Sequence, residues 1–162
     1  MKKIITLLLL VSFALSNAQA FKGKGDRKVN AGAVFQDGGT GIEASIDFGI
    51  GENLSYGFGT SYVIGVSAYN NDYKNFTDRY NAEFRLNANI GSVLKLDPKM
   101  DIYPGLNLNL YNFGGHVGFR YFFTEGFGVF TEVNFPIAKY NVDSFGGYYN
   151  QLTVNLGASF NI

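Results

Sequence analysis

The chain of 162 residues has no cysteine, one histidine and three prolines, and a single long apolar run, which lies at its N-terminus. Without cysteine there is no disulfide and no lipid-modified N-terminal cysteine, which excludes a lipoprotein. One His and no Cys cannot supply a transition-metal site. The Asn/Asp-rich stretch 70–78 lacks the spacing of an EF-hand loop, so its Asn and Asp read as turn-formers. The glycine pairs 38–39, 114–115 and 146–147 precede no helix, which makes them turn glycines rather than a phosphate cradle. No metal and no cofactor is expected. Basic clusters are also missing: Lys+Arg and Asp+Glu number 13 each. Such a chain has no electrostatic footprint for nucleic acid.

What is present begins with Lys2 and Lys3, then the apolar run Ile4 to Ala14, then the small-x-small site Ala18-Gln19-Ala20. This reads as a cleaved signal peptide over residues 1–20, leaving a mature domain over 21–162. Its loss removes two Lys and no acid, leaving 11 basic against 13 acidic residues. The run is too short for a spanning helix, which needs roughly 20 residues. No later segment approaches that length, so any membrane-crossing part must be made of strands.

The mature chain is built of period-2 alternation, the mark of strands with one apolar and one polar face. Strand 1 places Val29, Ala31, Ala33 and Phe35 on one face. After the Asp37-Gly38-Gly39 turn, strand 2 sets Ile42, Ala44, Ile46, Phe48 and Ile50 against Glu43, Ser45, Asp47 and Gly49. Strand 3 runs from Leu54 to Val66. Strand 4 sets Tyr80, Ala82, Phe84, Leu86, Ala88 and Ile90 against Arg79, Asn81, Glu83, Arg85, Asn87 and Asn89, and its alternation extends through Leu94 and Leu96. Strand 5 carries Ile102, Leu106, Leu108 and Leu110. Strand 6 opposes Val117, Phe119, Tyr121 and Phe123 to His116, Gly118, Arg120 and Phe122. Strand 7 carries Phe127 to Phe135 and stops at Pro136. The last eleven residues, Leu152 to Ile162, form strand 8. Tight turns at 51–53, 97–99 and 125–126 alternate with loops at 67–78, 111–115 and 137–149, apart from the short 37–41 connection. The expectation is an all-β chain forming an eight-stranded antiparallel up-and-down transmembrane β-barrel, with short periplasmic turns, longer external loops and both termini on the periplasmic side.

Alternation alone fits a soluble barrel equally well. The polar face decides, because it is mostly Gly, Ser and Asn with a few charges of both signs, which suits a crowded lumen rather than a watery exterior. On the apolar face, Tyr56, Phe58, Phe123, Phe127 and Phe160 lie toward the turn side. Phe35, Tyr62, Tyr80 and Phe135 lie toward the loop side. Two such belts are what bilayer interfaces favour. Lumen charges must be paired, so Glu43, Asp47, Glu83, Arg85, Arg120 and Glu132 are expected to form an inward polar network that fills the barrel. A 6–7 hairpin symmetric about Gly126 pairs Arg120 with Glu132.

The segments Gly118-Phe-Arg-Tyr-Phe-Phe-Thr-Glu125 and Phe127-Gly-Val-Phe-Thr-Glu132 resemble the strand–turn–strand signature of small outer-membrane barrels similar to OmpX, OmpW and the OmpA transmembrane domain. Phe21-Lys-Gly-Lys-Gly-Asp26 and Phe35-Gln-Asp-Gly-Gly-Thr-Gly-Ile42 look like a flavobacterial, Bacteroidetes-type family of such barrels. The chain departs from the proteobacterial pattern by ending in Ile162, with Phe160 two residues earlier. The resemblance implies residence in the outer membrane of the cell, contact with its lipid, and insertion by the barrel-assembly machinery. It implies no substrate.

Some barrels of that size are lipid-modifying enzymes with a His and a Ser or carboxylate at the outer rim. His116 has Ser61, Ser67 and Ser144 as conceivable neighbours, yet no motif places a nucleophile and an orienting carboxylate beside it. The reading is therefore a non-enzyme. A structural or surface-interaction barrel with a plugged lumen is favoured over a narrow channel or a binding barrel for small solutes. Tyr69, Tyr73, Phe76, Tyr140, Phe145, Tyr148 and Tyr149 are the loop aromatics offered to an external partner, their alternative being packing on one another or at the lipid interface.

Overall fold

The computed structural model describes residues 18–66, 76–140 and 149–162. Most of the expected signal peptide, together with Tyr69, Tyr73, Phe145, Tyr148, Ser67, Ser144 and the glycine pair 146–147, lies outside the described residues. Eight strands follow in chain order: β1 (Arg27–Gln36), β2 (Gly39–Gly49), β3 (Leu54–Val66), β4 (Tyr80–Ala88), β5 (Met100–Asn109), β6 (Asn112–Phe122), β7 (Phe127–Lys139) and β8 (Thr153–Asn161). One helical turn, α1 (Phe76–Arg79), leads into β4. Each strand pairs antiparallel with the next, and β8 returns to β1 with Phe160 opposite Val29 and Leu156 opposite Ala33. The result is a closed barrel without an unpaired edge strand. No helix among the described residues is long and apolar enough to cross a membrane.

The two faces of each strand divide as alternation requires. Phe58, Leu86, Leu106 and Leu108 are 46–53% exposed on the outer wall. Lys28, Asp47, Arg85, Arg120 and Glu132, at 0–2%, point inward. Among the described residues, buried polar side chains outnumber buried apolar ones, the reverse of a water-soluble core. Aromatic contacts gather near both rims. Tyr121, Phe123, Phe127 and Phe160 form one chain of rings at the end that holds the termini. Phe76 stacks between Tyr62 and Tyr80 at the opposite, loop end.

Three connections differ from the sequence pattern. β4 stops at Ala88, and the continued alternation to Leu96 is not a strand. There Leu94 N–H donates to the Ile90 carbonyl at 2.9 Å, and Lys95 takes a positive φ of 55°. The 111–115 loop is absent, because β5 and β6 are joined by Leu110 and Tyr111 alone. The Asn109 side chain makes this possible by accepting the backbone N–H of both Tyr111 and Asn112 at 2.8 Å, replacing lost ladder bonds. The pair Gly114-Gly115 consequently sits inside β6. Finally, β7 runs through Pro136 to Lys139. Beyond Asn134 it pairs with β6 only, next to a register shift at Phe113/Gly114, so the missing proline N–H costs no bond to β8. Gly38, at φ 73°, sits in the two-residue link between β1 and β2, where a side chain would be strained.

Candidate functional site

Glu43, Asp47, Glu83, Arg85, Arg120 and Glu132 point inward as expected, whereas Arg79, expected on the same face of strand 4, lies in α1; the lumen is filled in layers. At the terminal end, Lys28 Nζ meets Asp26 Oδ2 at 2.5 Å and Asn161 Oδ1 at 2.6 Å, and lies 5.1 Å from the centre of the Phe122 ring. Ala18 and Ala20 are buried against that ring. One layer further in, Asn30 links Ser45 and Ser159 at 3.0 and 2.7 Å.

The centre is an ion network across the barrel. Asp47 on β2 accepts a hydrogen bond from Arg120 Nη2 of β6 at 2.6 Å and lies in ion-pair range of Arg85 Nε of β4, at 3.3 Å. Arg85 reaches across to Glu132 of β7 through both of its terminal nitrogens, and to Glu83 Oε1 at 3.5 Å. The Arg120 guanidinium lies 3.8 Å from the centre of the Tyr103 ring, a cation–π contact. Tyr103 fits because Gly118 faces it from β6, where a Cβ would fall within the ring. The pairing of Arg120 with Glu132 is therefore corrected: Gly118 stands opposite Glu132, and Arg120 opposite Phe130. The turn spans four residues, with Phe123 N–H and Thr124 N–H both donating to the Phe127 carbonyl, which shifts the register by two. A two-residue shift keeps every face and changes every partner. Sequence parity could not detect it.

His116 is not a rim residue. It is 1% exposed, inside β6, with Nε2 2.7 Å from Asn87 Oδ1. Asn87 in turn donates to Ser55 Oγ at 3.1 Å and accepts from Arg85 Nε at 3.4 Å. Ser61 lines a separate cavity, away from this histidine.

That cavity, about 40 Å³, opens at the loop end above the network. Glu43, Glu83, Asn81, Asn107, Asn155 and Tyr149 are among its lining residues. Tyr149, expected as an exposed loop aromatic, is instead 7% exposed. Its ring stacks on Tyr111 at 5.4 Å and its hydroxyl donates to the Arg79 carbonyl at 2.7 Å, so it caps the lumen. Burial pushes the Tyr149 phenol up to about 12. Phe76 and Tyr140 are exposed, at 64% and 53%. The amide residues of this end, Asn107, Asn109, Asn112 and Asn155, were missed as site residues. Their inward parity was the available signal.

Comparison with solved structures gives the same architecture. The N-terminal β-barrel domain of Pseudomonas aeruginosa OprF is similar with TM-score 0.57 at 12% identity, over 87% of this chain and 100% of that one. A de novo designed transmembrane β-barrel matches with TM-score 0.56 at 9% identity, over 87% and 98%. The outer membrane protein OprG from Pseudomonas aeruginosa matches with TM-score 0.50 at 9% identity, over 91% and 99%. Identities this low speak to the fold alone. No curated protein matches the chain. A family model described as "Family of unknown function (DUF6646)" matches residues 11–162.

Proposed function

The chain belongs to the family of unknown function DUF6646, and we propose that it is an outer-membrane barrel with a structural or surface-interaction role and a closed lumen, not an enzyme or an open pore. The observation that carries this reading is the inside-out polarity of the barrel. Leu and Phe side chains cover the wall, while the Arg85–Asp47–Arg120 network and its carboxylates occupy the axis. An eight-stranded barrel is only wide enough for side chains to fill, and here the central ones, Asp47, Arg85, Arg120 and Glu132, are ionic and paired with one another. Likeness to outer-membrane barrels supports the same location.

In this reading a signal peptide over residues 1–20 directs export, the barrel-assembly machinery inserts the chain, and lipid surrounds it. The loop end faces the exterior, where exposed Phe76 and Tyr140 are offered to a partner or to the lipid interface. His116 contacts Asn87 rather than a nucleophile, which supports a non-catalytic lumen. The similarity to OmpX-like and flavobacterial barrels belongs to the same proposal.

Planar-bilayer recording of the purified, refolded protein tests it. The expected outcome is a seal without stable unit currents. A steady current that changes with Arg120→Met or Glu132→Gln overturns the closed lumen in favour of a narrow channel.

A further inference from the structure

We propose that the rim at the terminal end of the barrel, where Lys22, Lys24 and Arg27 converge, binds the phosphate of an anionic phospholipid of the phosphatidylglycerol class, with the acyl chains laid along the adjoining wall. This rests on the membrane location in the reading above and adds to it a specific ligand.

Charge is balanced over the chain but not along it. Residues 22–28 carry Lys22, Lys24, Arg27 and Lys28 against the single acid Asp26. Lys28 takes Asp26 into the lumen at 2.5 Å. Lys22, Lys24 and Arg27 are left exposed, with no ion-pair partner among the described residues. All three line one concavity of about 570 Å³, together with Glu125, Asn161 and Ile162. That volume lies within the range of small-molecule sites, roughly 300–1,000 Å³. Three free cations face the carboxylate of Glu125, and they still prevail if a carboxylate at Ile162 is counted as well. The concavity therefore favours an anion.

The cations sit on a built segment and not on a loose tail. Gly23 and Gly25, at φ 85° and 88°, turn the Lys22-Gly-Lys-Gly25 lead-in back toward the barrel, a conformation that a side chain would strain. Gly25 N–H then donates to the Gly49 carbonyl at 2.9 Å, and Gly49 N–H donates to the Asp26 carbonyl at 2.8 Å. The turn lies so close on the end of β2 that a Cβ on Gly49 would come 2.0 Å from the Gly23 carbonyl oxygen. The opposite wall is also held, because Asn161 donates its side-chain amide to the Glu125 carbonyl at 2.5 Å and its backbone N–H to the Gly126 carbonyl at 3.2 Å. Both walls are in place before a ligand arrives, which lowers the cost of binding it.

Depth in the membrane is independent of charge and points to the same ligand. Arg27 stands in the outward row of β1, which is otherwise Val29, Ala31, Ala33 and Phe35. Its cross-strand partner is Phe48, whose ring stacks on Tyr56 at 5.4 Å. Aromatic rings on the wall mark the headgroup level, so Arg27 places a cation where hydrocarbon gives way to phosphate. Its stem can lie on the wall while the guanidinium reaches phosphate oxygens in pairs. Next to it, Ile162 N–H donates to the Arg27 carbonyl at 3.2 Å, and exposed Ile162, Phe160 and Phe127 lead from the concavity onto the wall. A phosphate that carries acyl chains meets both the charge and the apolar surface. Free phosphate would meet the charge alone.

Native mass spectrometry of the refolded protein in a neutral detergent, titrated with phosphatidylglycerol or with phosphatidylcholine of the same acyl chains, tests this. The expected result is one phosphatidylglycerol retained per barrel, about tenfold more tightly than phosphatidylcholine. Lys22→Gln, Lys24→Gln and Arg27→Gln should each weaken phosphatidylglycerol by roughly fivefold, the attraction of one basic side chain to an anionic lipid surface, and should leave phosphatidylcholine nearly unchanged. Glu125→Gln should act in the opposite direction and tighten phosphatidylglycerol, a gain that a misfolded variant would not show. Equal retention of the two lipids by the wild-type protein overturns the proposal without reference to any variant. Displacement of the lipid by millimolar inorganic phosphate also overturns it, in favour of a free-anion site. A wild-type barrel that inserts into bilayers yet holds the two lipids equally defeats this inference and leaves the membrane location standing, so the two readings fail separately.

Discussion

Removing one guanidinium from the centre of the lumen is expected to damage the barrel more than removing the acid it holds. Arg85 is 2% exposed and contacts three carboxylates, Glu132, Asp47 and Glu83. Arg85→Met takes from Glu132, itself 1% exposed, the guanidinium that pairs with it, and from Glu83 the cation 3.5 Å away, while Asp47 keeps Arg120 at 2.6 Å. Breaking a buried ion pair by deleting one partner costs about 3–5 kcal/mol. Glu132→Gln is milder, because Arg85 retains Asp47 and Glu83, and a cost of about 1–3 kcal/mol follows from the weakened hydrogen bonds. In a double-mutant cycle the Arg85/Glu132 coupling should reach about 1–3 kcal/mol, and the Arg120/Glu132 coupling should stay below about 1 kcal/mol. The assay is urea unfolding of the refolded protein followed by far-UV circular dichroism, since the chain has no Trp to report. A larger coupling for Arg120/Glu132 than for Arg85/Glu132 would refute the register and the network with it.

Three further outcomes follow from the same structure. Gly118→Ala puts a methyl group into the Tyr103 ring and should destabilise the barrel by about 1–3 kcal/mol, the usual cost of overpacking, read in the same unfolding assay. Tyr149 should ionise near pH 12, so wild type minus Tyr149→Phe in an ultraviolet pH titration shows no phenolate near pH 10. Because its folded value lies above the free one, its contribution to stability is complete below about pH 10 and fades as pH rises toward 12. Phe84→Arg, on the outer wall, should cost about 2–4 kcal/mol when the protein is folded into a bilayer if it sits near the midplane. A cost near zero in lipid vesicles would count against that position.

Much of the fold was legible because a strand's period fixes its faces. The alternation around Phe58, Leu86 and Leu108 was enough to separate wall from lumen, and the inward parity of Asp47, Arg85 and Arg120 followed from it. What parity cannot see is register. Arg120 was paired with the wrong acid because a four-residue turn and a two-residue turn give the same faces. The false strand through Leu94 and Leu96 had the right period but lacked a partner strand, a tertiary fact. The 111–115 segment looked like a loop because Gly114-Gly115 is a turn signal, whereas the turn was made by the side chain of Asn109. Tyr149 looked exposed because loops are wet on average. Its partner Tyr111 lies 38 positions away and only the closed barrel brings them together.

The lipid-facing wall is tested most directly by spin-label accessibility, for which the absence of native cysteine gives single-site labelling. Single cysteines at Leu86, Leu108 and Val133, on the outer wall of three strands, would be labelled and the protein reconstituted in bilayers, with exposed Asp97 in the connection between β4 and β5 as the aqueous control. Labels on the wall should collide with dissolved oxygen and be shielded from a polar nickel chelate, with the opposite at Asp97. Nickel access at all three wall positions equal to that at Asp97 would mean that water, and not hydrocarbon, covers the barrel.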